Sequence, residues 1–325
     1  MFEIIIDNRD GNLWNISSLI SEITWKTSYL GSAGSMEVSL IKGEIYGDPS
    51  FKYAPGDIIR FKAGGMNVFY GYIFTIDSGS DEVVKILAYD QLRYLMASDT
   101  YVFSNVTATE VIRRIAKDFN LPVGELADTG YRMPTLVEDN TKLMDIICKA
   151  LTVTLINAGE NFVFYDNFGF LTLRNVRDLM VNFYIGNRSL VYDFSHKRSI
   201  DTDTYNYIKI VKDNKNTGRR DVYVQQDKAN IAKWGKLQLY QVADESQNAA
   251  QINATLAQTM ALKNRESRNM TIDAIGDIRL RAGNYVRVVL DEFGINQPFL
   301  INECTHRFDG SDHTMSLDLK VVNRL

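Results

Sequence analysis

The chain has 325 residues, 45% of them hydrophobic and 23% charged, with a formal net charge of −4 and a mean hydropathy of −0.17. That composition excludes a disordered chain, and the length points to two or three domains rather than one core. Sequence-specific nucleic-acid binding is excluded too, because it needs clustered positive charge and no Lys/Arg block stands out beyond Arg219-Arg220. Two cysteines, Cys148 and Cys304, give no disulfide framework. No uncharged apolar run reaches the roughly 20 residues of a membrane helix. The start, Met1-Phe2-Glu3-Ile4-Ile5-Ile6-Asp7, has no basic segment and is not a signal peptide. We therefore expect no membrane insertion and synthesis in a cytoplasm.

The first 97 residues read as strand and turn. Phe2 to Ile6, Leu13 to Ile16 and Glu22 to Tyr29 are short extended runs, and Leu30 to Ser35 is a glycine- and serine-rich loop. Met36 to Ile41 alternates with period two, as a half-buried strand does. Pro55-Gly56-Asp57 turns into Ile58 to Phe61, Gly64-Gly65 turns that strand into Val68 to Phe74, and a further hairpin leads to Val83 to Tyr89. Short strands at this spacing predict a small barrel or sandwich.

Residues 98–187 change pattern. Thr107-Ala108-Thr109-Glu110 has the form of a capping box. Val111, Ile112, Ile115, Ala116 and Phe119 follow at helical spacing, and Leu121-Pro122 ends the helix. A second helix runs from about Thr141 to Leu151, and two strands follow around the turn Asp166-Asn167-Phe168-Gly169. This is a compact α+β unit. Residues 188–325 return to strands, with a proline- and glycine-free helix from about Asp244 to Arg265. Ala250, Ala254, Ala257 and Ala261 form a stripe along it, which suits a helix lying on the second barrel or one at a subunit boundary.

The two β segments resemble each other. Ala54-Pro55-Gly56-Asp57-Ile58-Ile59-Arg60-Phe61 matches Arg281-Ala282-Gly283-Asn284-Tyr285-Val286-Arg287-Val288. Ile73 lies 17 residues beyond Gly56, and Ile301 lies 18 beyond Gly283. Each Gly-Asx pair permits a tight turn before a strand that carries Arg in the same place. The turns at Gly56, Asp57, Gly283 and Asn284 thus mark an internal repeat. The expected fold is mainly β: two small antiparallel barrels, 1–97 and 188–325, flanking an α+β domain at 98–187.

Chemistry is sparse. Cys304 and His306 share a strand face and a hairpin brings His313 and Asp312 back towards them, but the spacing is not that of a zinc site. Ser195 and His196 are adjacent on a strand and point to opposite faces. Asp291-Glu292 and Asp201-Thr202-Asp203 sit among turn formers, and Gly64-Gly65 lacks the lysine of a phosphate loop. No catalytic, cofactor-binding or metal-ligating residue is assigned, and no enzyme activity is expected.

Two resemblances add to this. Gly56 to Phe61, Ala88-Tyr89-Asp90, Thr204 to Ile210, Gly283 to Val288 and Phe299-Leu300-Ile301, in the order barrel, α+β unit, barrel, resemble the hub proteins of contractile phage tails, in particular the XkdQ/YqbQ-type hub of defective prophages. That resemblance implies a baseplate hub of a phage, defective prophage or tailocin, with no cofactor. It implies a homotrimer with a pseudo-sixfold ring, joining a sixfold tail tube or tube-initiator protein to a threefold central spike. It further implies tape-measure, LysM-tail and wedge proteins as partners, and assembly into a virion or phage-tail-like particle made in a bacterial cytoplasm. Separately, Thr107 to Leu126 is similar to the helix-and-turn core of a LysM module. That similarity implies peptidoglycan contacts at Asn120, Leu121 and Pro122, and a cell-wall-binding or wall-degrading role as the alternative to a structural insertion.

Overall fold

A computed structural model describes residues 2–42, 51–80, 82–186, 189–214, 217–244 and 247–320. The N-terminal half contains β1 (Phe2–Asp7), β2 (Leu13–Asn15), β3 (Ile20–Ser28), β4 (Ser35–Ile41), β5 (Ile58–Ala63), β6 (Met66–Ser78) and β7 (Val83–Tyr89). Alternation decides which face is buried: Met36, Val38 and Leu40 of β4 face inward with Val84, Ile86 and Ala88 of β7. They meet Ile4, Ile6, Ile59 and Phe61 in one core.

The middle unit follows a 3-10 turn, Gln91–Met96, which Asp90 caps by accepting from the Leu92 N–H. It comprises β8 (Ser98–Val106), α1 (Ala108–Asp118), β9 (Val123–Leu126), β10 (Met133–Lys142), α2 (Leu143–Ala158), β11 (Phe162–Asp166) and β12 (Leu171–Asn175). The capping box is present: the Glu110 N–H donates to Thr107 Oγ1, and the Thr107 N–H donates to the Glu110 carboxylate. Val111, Ile112 and Ile115 of α1 pack on Leu143, Ile146 and Ile147 of α2.

The remainder contains β13 (Met180–Gly186), β14 (Val191–Ser199), β15 (Tyr207–Asn214), β16 (Arg219–Gln226), α3 (Lys228–Trp234), β17 (Gln238–Val242), α4 (Ala249–Lys263), β18 (Ser267–Ile275), β19 (Tyr285–Leu290), β20 (Ile295–Asp309) and β21 (Asp312–Lys320). The expected helix from Asp244 starts later, at Ala249, because Asn248 and Gln251 form a capping box there. It lies on a separate three-stranded sheet, ordered β16-β15-β17, with Ile252, Leu256 and Met260 against Ile208 and Ile210. Residues 200–266 are thus an insertion between β14 and β18, with a small core of their own.

The expectation of two separate barrels is corrected by the strand pairing. Among the described residues one open 13-stranded sheet runs through both halves in the order β14-β18-β21-β20-β3-β4-β7-β6-β5-β1-β2, with β19 and β13 branching from β20. The physical cause is the length of β20. Its first part, Ile295 to Leu300, pairs with β19; its second part, Glu303 to Asp309, is left with an open edge, and β3 fills it. Among the described residues no helix is long and apolar enough to cross a membrane.

Trp25 on β3 is buried and stacks on the buried His306 of β20, with ring centroids 5.0 Å apart. Truncating it leaves a cavity at the seam between the halves. Trp25→Ala should therefore lower unfolding stability by about 3–5 kcal/mol, read as a lowered denaturant midpoint in equilibrium unfolding.

Candidate functional site

The repeat extends to the level of backbone register. The Gly56 N–H donates to the Ile73 carbonyl (2.8 Å), the Ile73 N–H to the Asp57 carbonyl (2.9 Å), and the Asp57 side chain accepts from the Ala54 N–H (2.8 Å). In the second half the Gly283 N–H donates to the Ile301 carbonyl (2.8 Å), the Ile301 N–H to the Asn284 carbonyl (2.9 Å), and the Asn284 side chain accepts from the Arg281 N–H (2.9 Å). Both glycines take the left-handed conformation, φ 96° and 92°, which a Cβ would strain.

Strand order repeats as well. The run β3-β4-β7-β6-β5 is matched by β14-β18-β21-β20-β19. Each long hairpin carries a register shift at the same place, between Ile73 and Thr75 and between Ile301 and Glu303. The β3–β4 pair shifts between Ile20 and Glu22, as the β14–β18 pair does between Val191 and Asp193. Following these ladders, Ile76, Asp77 and Ser78 correspond to Cys304, Thr305 and His306; His196, Lys197 and Arg198 correspond to Trp25, Lys26 and Thr27.

The joint between the halves has a dry face and a charged face. On the dry side Trp25, His306 and Phe308 stack in series. His306 Nε2–H donates to the Leu280 carbonyl (2.8 Å), so its Nδ1 accepts from His313 Nε2–H (2.9 Å). Cys304 Sγ lies 3.2 Å from His306 Nε2. The hairpin thus brings Cys304, His306 and His313 together, while Asp312 stays exposed at the turn. The ring nitrogens of His306 are occupied by these partners, and among the described residues no group of three His, Cys, Asp or Glu could hold a metal ion. On the wet side Lys26 pairs with Glu303 (2.8 Å) and Arg307 with Glu22 (2.7 Å).

A second joint fastens the middle unit to both halves. Asp90, at the end of β7, accepts from the Gly34 N–H (2.8 Å), where a Cβ on residue 34 would meet its carboxylate. Gln91 Nε2 donates to Asp166 Oδ2 at the end of β11 (2.7 Å). Arg281, in the second repeat turn, donates to the Asp166 carbonyl (3.1 Å) and covers the Tyr165 ring at 4.1 Å. Burial and the neighbouring Asp166 charge hold the Asp90 carboxyl well above its ordinary range. Burial pushes Asp166 up to about 6, and it pulls Arg281 down. None of these four residues stood out in the sequence as a site. Asp166 reads only as the first residue of the turn Asp166-Asn167-Phe168-Gly169, and only the Gly283 turn pointed at Arg281.

Comparison with known proteins fits this geometry. A family model described as YQBQ-like matches residues 23–320. The chain belongs to the YqbQ-like family. It is 32% identical over 279 residues to the YqbQ protein of Bacillus subtilis (strain 168), covering 85% of this chain and 84% of that protein. It is 31% identical over 299 residues to the phage-like element PBSX protein XkdQ of the same organism, covering 90% of this chain and 89% of that one. Its fold is similar to the crystal structure of the 43 kDa tail protein of prophage MuSo2 from Shewanella oneidensis, with TM-score 0.70, 15% identity and 98% of both chains covered. The E. coli c3393 protein, described as a type VI secretion component similar in structure to phage T4 tail proteins gp27 and gp5, matches with TM-score 0.57, 9% identity, 99% of this chain and 77% of that chain. The resemblance to this family read from the Gly-Asx turns and their strands is thus shown.

Other residues singled out in the sequence fall elsewhere in this family member. Asn120, Leu121 and Pro122 form the turn that ends α1: the Leu121 N–H donates to the Ala116 carbonyl (2.9 Å), and Asn120 has φ 54°. Leu121 packs on the middle core, and Asn120 and Pro122 are exposed. Ala250, Ala254, Ala257 and Ala261 all face solvent, opposite the buried stripe of α4. The helix therefore packs on its own inserted sheet, not on the strands of the second repeat. Ser195 and His196 lie on β14, at the edge of the large sheet.

The buried groups set a pH response of known sign. Folded Asp166 holds its proton to about pH 6, whereas an unfolded aspartate loses it near pH 4. Its contribution therefore favours folding at low pH and fades as pH rises to about 6. His306 is depressed to about 4 by burial, so its contribution is lost as pH falls below the unfolded value near 6.5. The two slopes oppose each other between about pH 4 and 6. Asp166→Asn should remove the first, so that stability climbs more steeply with pH than in the wild type, by roughly 2–3 kcal/mol across the window. Denaturant midpoints measured at several pH values check this; an unchanged slope would refute it.

Proposed function

We propose that this chain is the structural hub of a contractile tail, working without a catalytic centre. Three copies form a ring of six similar β units that joins a sixfold tail tube to a threefold central spike. The observation that carries this reading is the register-level repeat between β3–β7 and β14 with β18–β21. A sixfold partner can be met by three subunits only when each subunit presents two near-equivalent surfaces. The open sheet that links the two units also supports it, because the two surfaces are then held in a fixed relation within each chain.

On this reading the tube or tube-initiator protein and the spike are direct neighbours, and tape-measure, LysM-tail and wedge proteins are further partners in the particle. The protein would be carried in the assembled virion or phage-tail-like particle, whether phage, defective prophage or tailocin. The PBSX phage-like element that carries one relative, and the prophage origin of the structurally similar MuSo2 tail protein, accord with that setting.

Native mass spectrometry of the purified chain, alone and with its tube protein, tests the ring. The expected result is a complex of three chains of 37.0 kDa each. A species that stays monomeric both alone and with the tube protein would overturn it.

A further inference from the structure

The repeat has one consequence at its free edges. Inside the chain, the second part of β20 is paired on the β19 side by β3, over Glu303↔Ser28 to Asp309↔Glu22. The corresponding stretch of β6, Thr75 to Ser78, is paired with β7 on one side, and no described strand pairs its β5 side. Likewise β14, the counterpart of β3, pairs with β18 and ends the large sheet. The chain thus carries one satisfied joint, and both halves of a second joint stand open. Bare edges of this kind are templates for another strand.

We propose that β14 of one chain pairs antiparallel with β6 of a second copy of the same chain, reproducing between chains the β3–β20 ladder within each. This names the contact of the ring proposed above and rests on that reading. Transferring the register gives Thr75 opposite Ser199, Ile76 opposite Arg198, Asp77 opposite Lys197 and Ser78 opposite His196 of the partner copy.

The chemistry at these positions fits. Thr75, Asp77 and Ser78 are exposed on one edge; Ser195, His196, Lys197 and Arg198 are exposed on the other. Asp77 and Lys197 meet as opposite charges, on the face where Lys26 and Glu303 pair within the chain. Among the described residues neither Asp77 nor Lys197 is in an ion pair. Each chain offers one donor strand and one acceptor edge, and the two differ. The contact is therefore head-to-tail, the kind that closes into a ring rather than stopping at a twofold dimer.

Cross-linking decides it. Asp77→Cys and Lys197→Cys are made as two separate variants, which circular dichroism should show folded. Directly opposed antiparallel residues lie about 4.5–5.5 Å apart at Cα, within disulfide reach. On oxidation the mixture should give a covalent dimer that neither variant gives alone, with wild type controlling for Cys148 and Cys304. In the uncross-linked protein, Asp77→Lys should weaken association about tenfold, and Asp77→Lys with Lys197→Asp should restore it. A native trimer without this cross-link, and indifferent to Asp77→Lys, would overturn the strand pairing and leave the ring standing. Folded wild type that is monomeric alone and with the tube protein, without cross-linking, would overturn both.

Discussion

The backbone ladder between β3 and β20 is the contact on which the rest of the molecule depends. Without it the chain would be two β units held by a middle unit and side-chain contacts; with it, one hydrogen-bonded sheet crosses from β14 to β2. Its position follows from unequal strand lengths. β20 has 15 residues and β19 only six, so β19 covers the first part of β20 and leaves the remainder unpaired. Buried amide and carbonyl groups have to be paired, and β3 is the strand whose apolar alternation, Ile23 and Trp25 inward, matches Cys304, His306 and Phe308. Backbone pairing and side-chain burial select the same partner there, which makes the joint specific as well as tight.

The two halves share backbone rules more than side chains. The Gly-Asx turn requires a residue tolerant of positive φ and a side chain that accepts from the residue three before it; Gly56-Asp57 and Gly283-Asn284 both supply this. Elsewhere matched positions differ freely, as Ile58 does from Tyr285 and Gly71 from Phe299. Insertions enter where the turns allow. The six residues between β3 and β4 correspond to residues 200–266 between β14 and β18, which bring a sheet and α4 with them. One unit therefore keeps a bare rim and the other carries an added body.

These facts set what sequence could reveal. The turn at Gly283, both helix-bearing segments of the middle unit and the period-two strands rest on local rules, so residues such as Thr107, Glu110 and Met36 announce them. The joint does not rest on local rules. Alternation in Glu22 to Tyr29 fixes which face is buried and says nothing of the neighbouring strand, and its partner lies some 280 residues away. The same holds for α4: its alanine stripe faces solvent, and Ile252, Leu256 and Met260 settle on a sheet that alternation alone assigned to the second repeat. Asp90 reads only as part of the Ala88-Tyr89-Asp90 motif and Asp166 only as part of a turn, because only the folded chain brings Gln91 and Arg281 to Asp166.

Besides the insertion at 200–266, the equivalence of the halves stops at the outer strands, and that limits the proposed ring. β1 pairs antiparallel with β5 and is backed by β2, whereas β13, in the corresponding position on β19, runs parallel. A strand reversed in direction presents different side chains at every level, so these outer strands cannot serve a sixfold partner equally. The strands common to both units are β3–β7 and their counterparts β14 and β18–β21. A partner that treats the six units alike has to bind there. The outer strands, the middle unit and residues 200–266 then remain for partners that see the particle three at a time, such as the proposed spike. In the proposed ring, the strands that repeat and the elements that do not would divide the sixfold and threefold tasks between them.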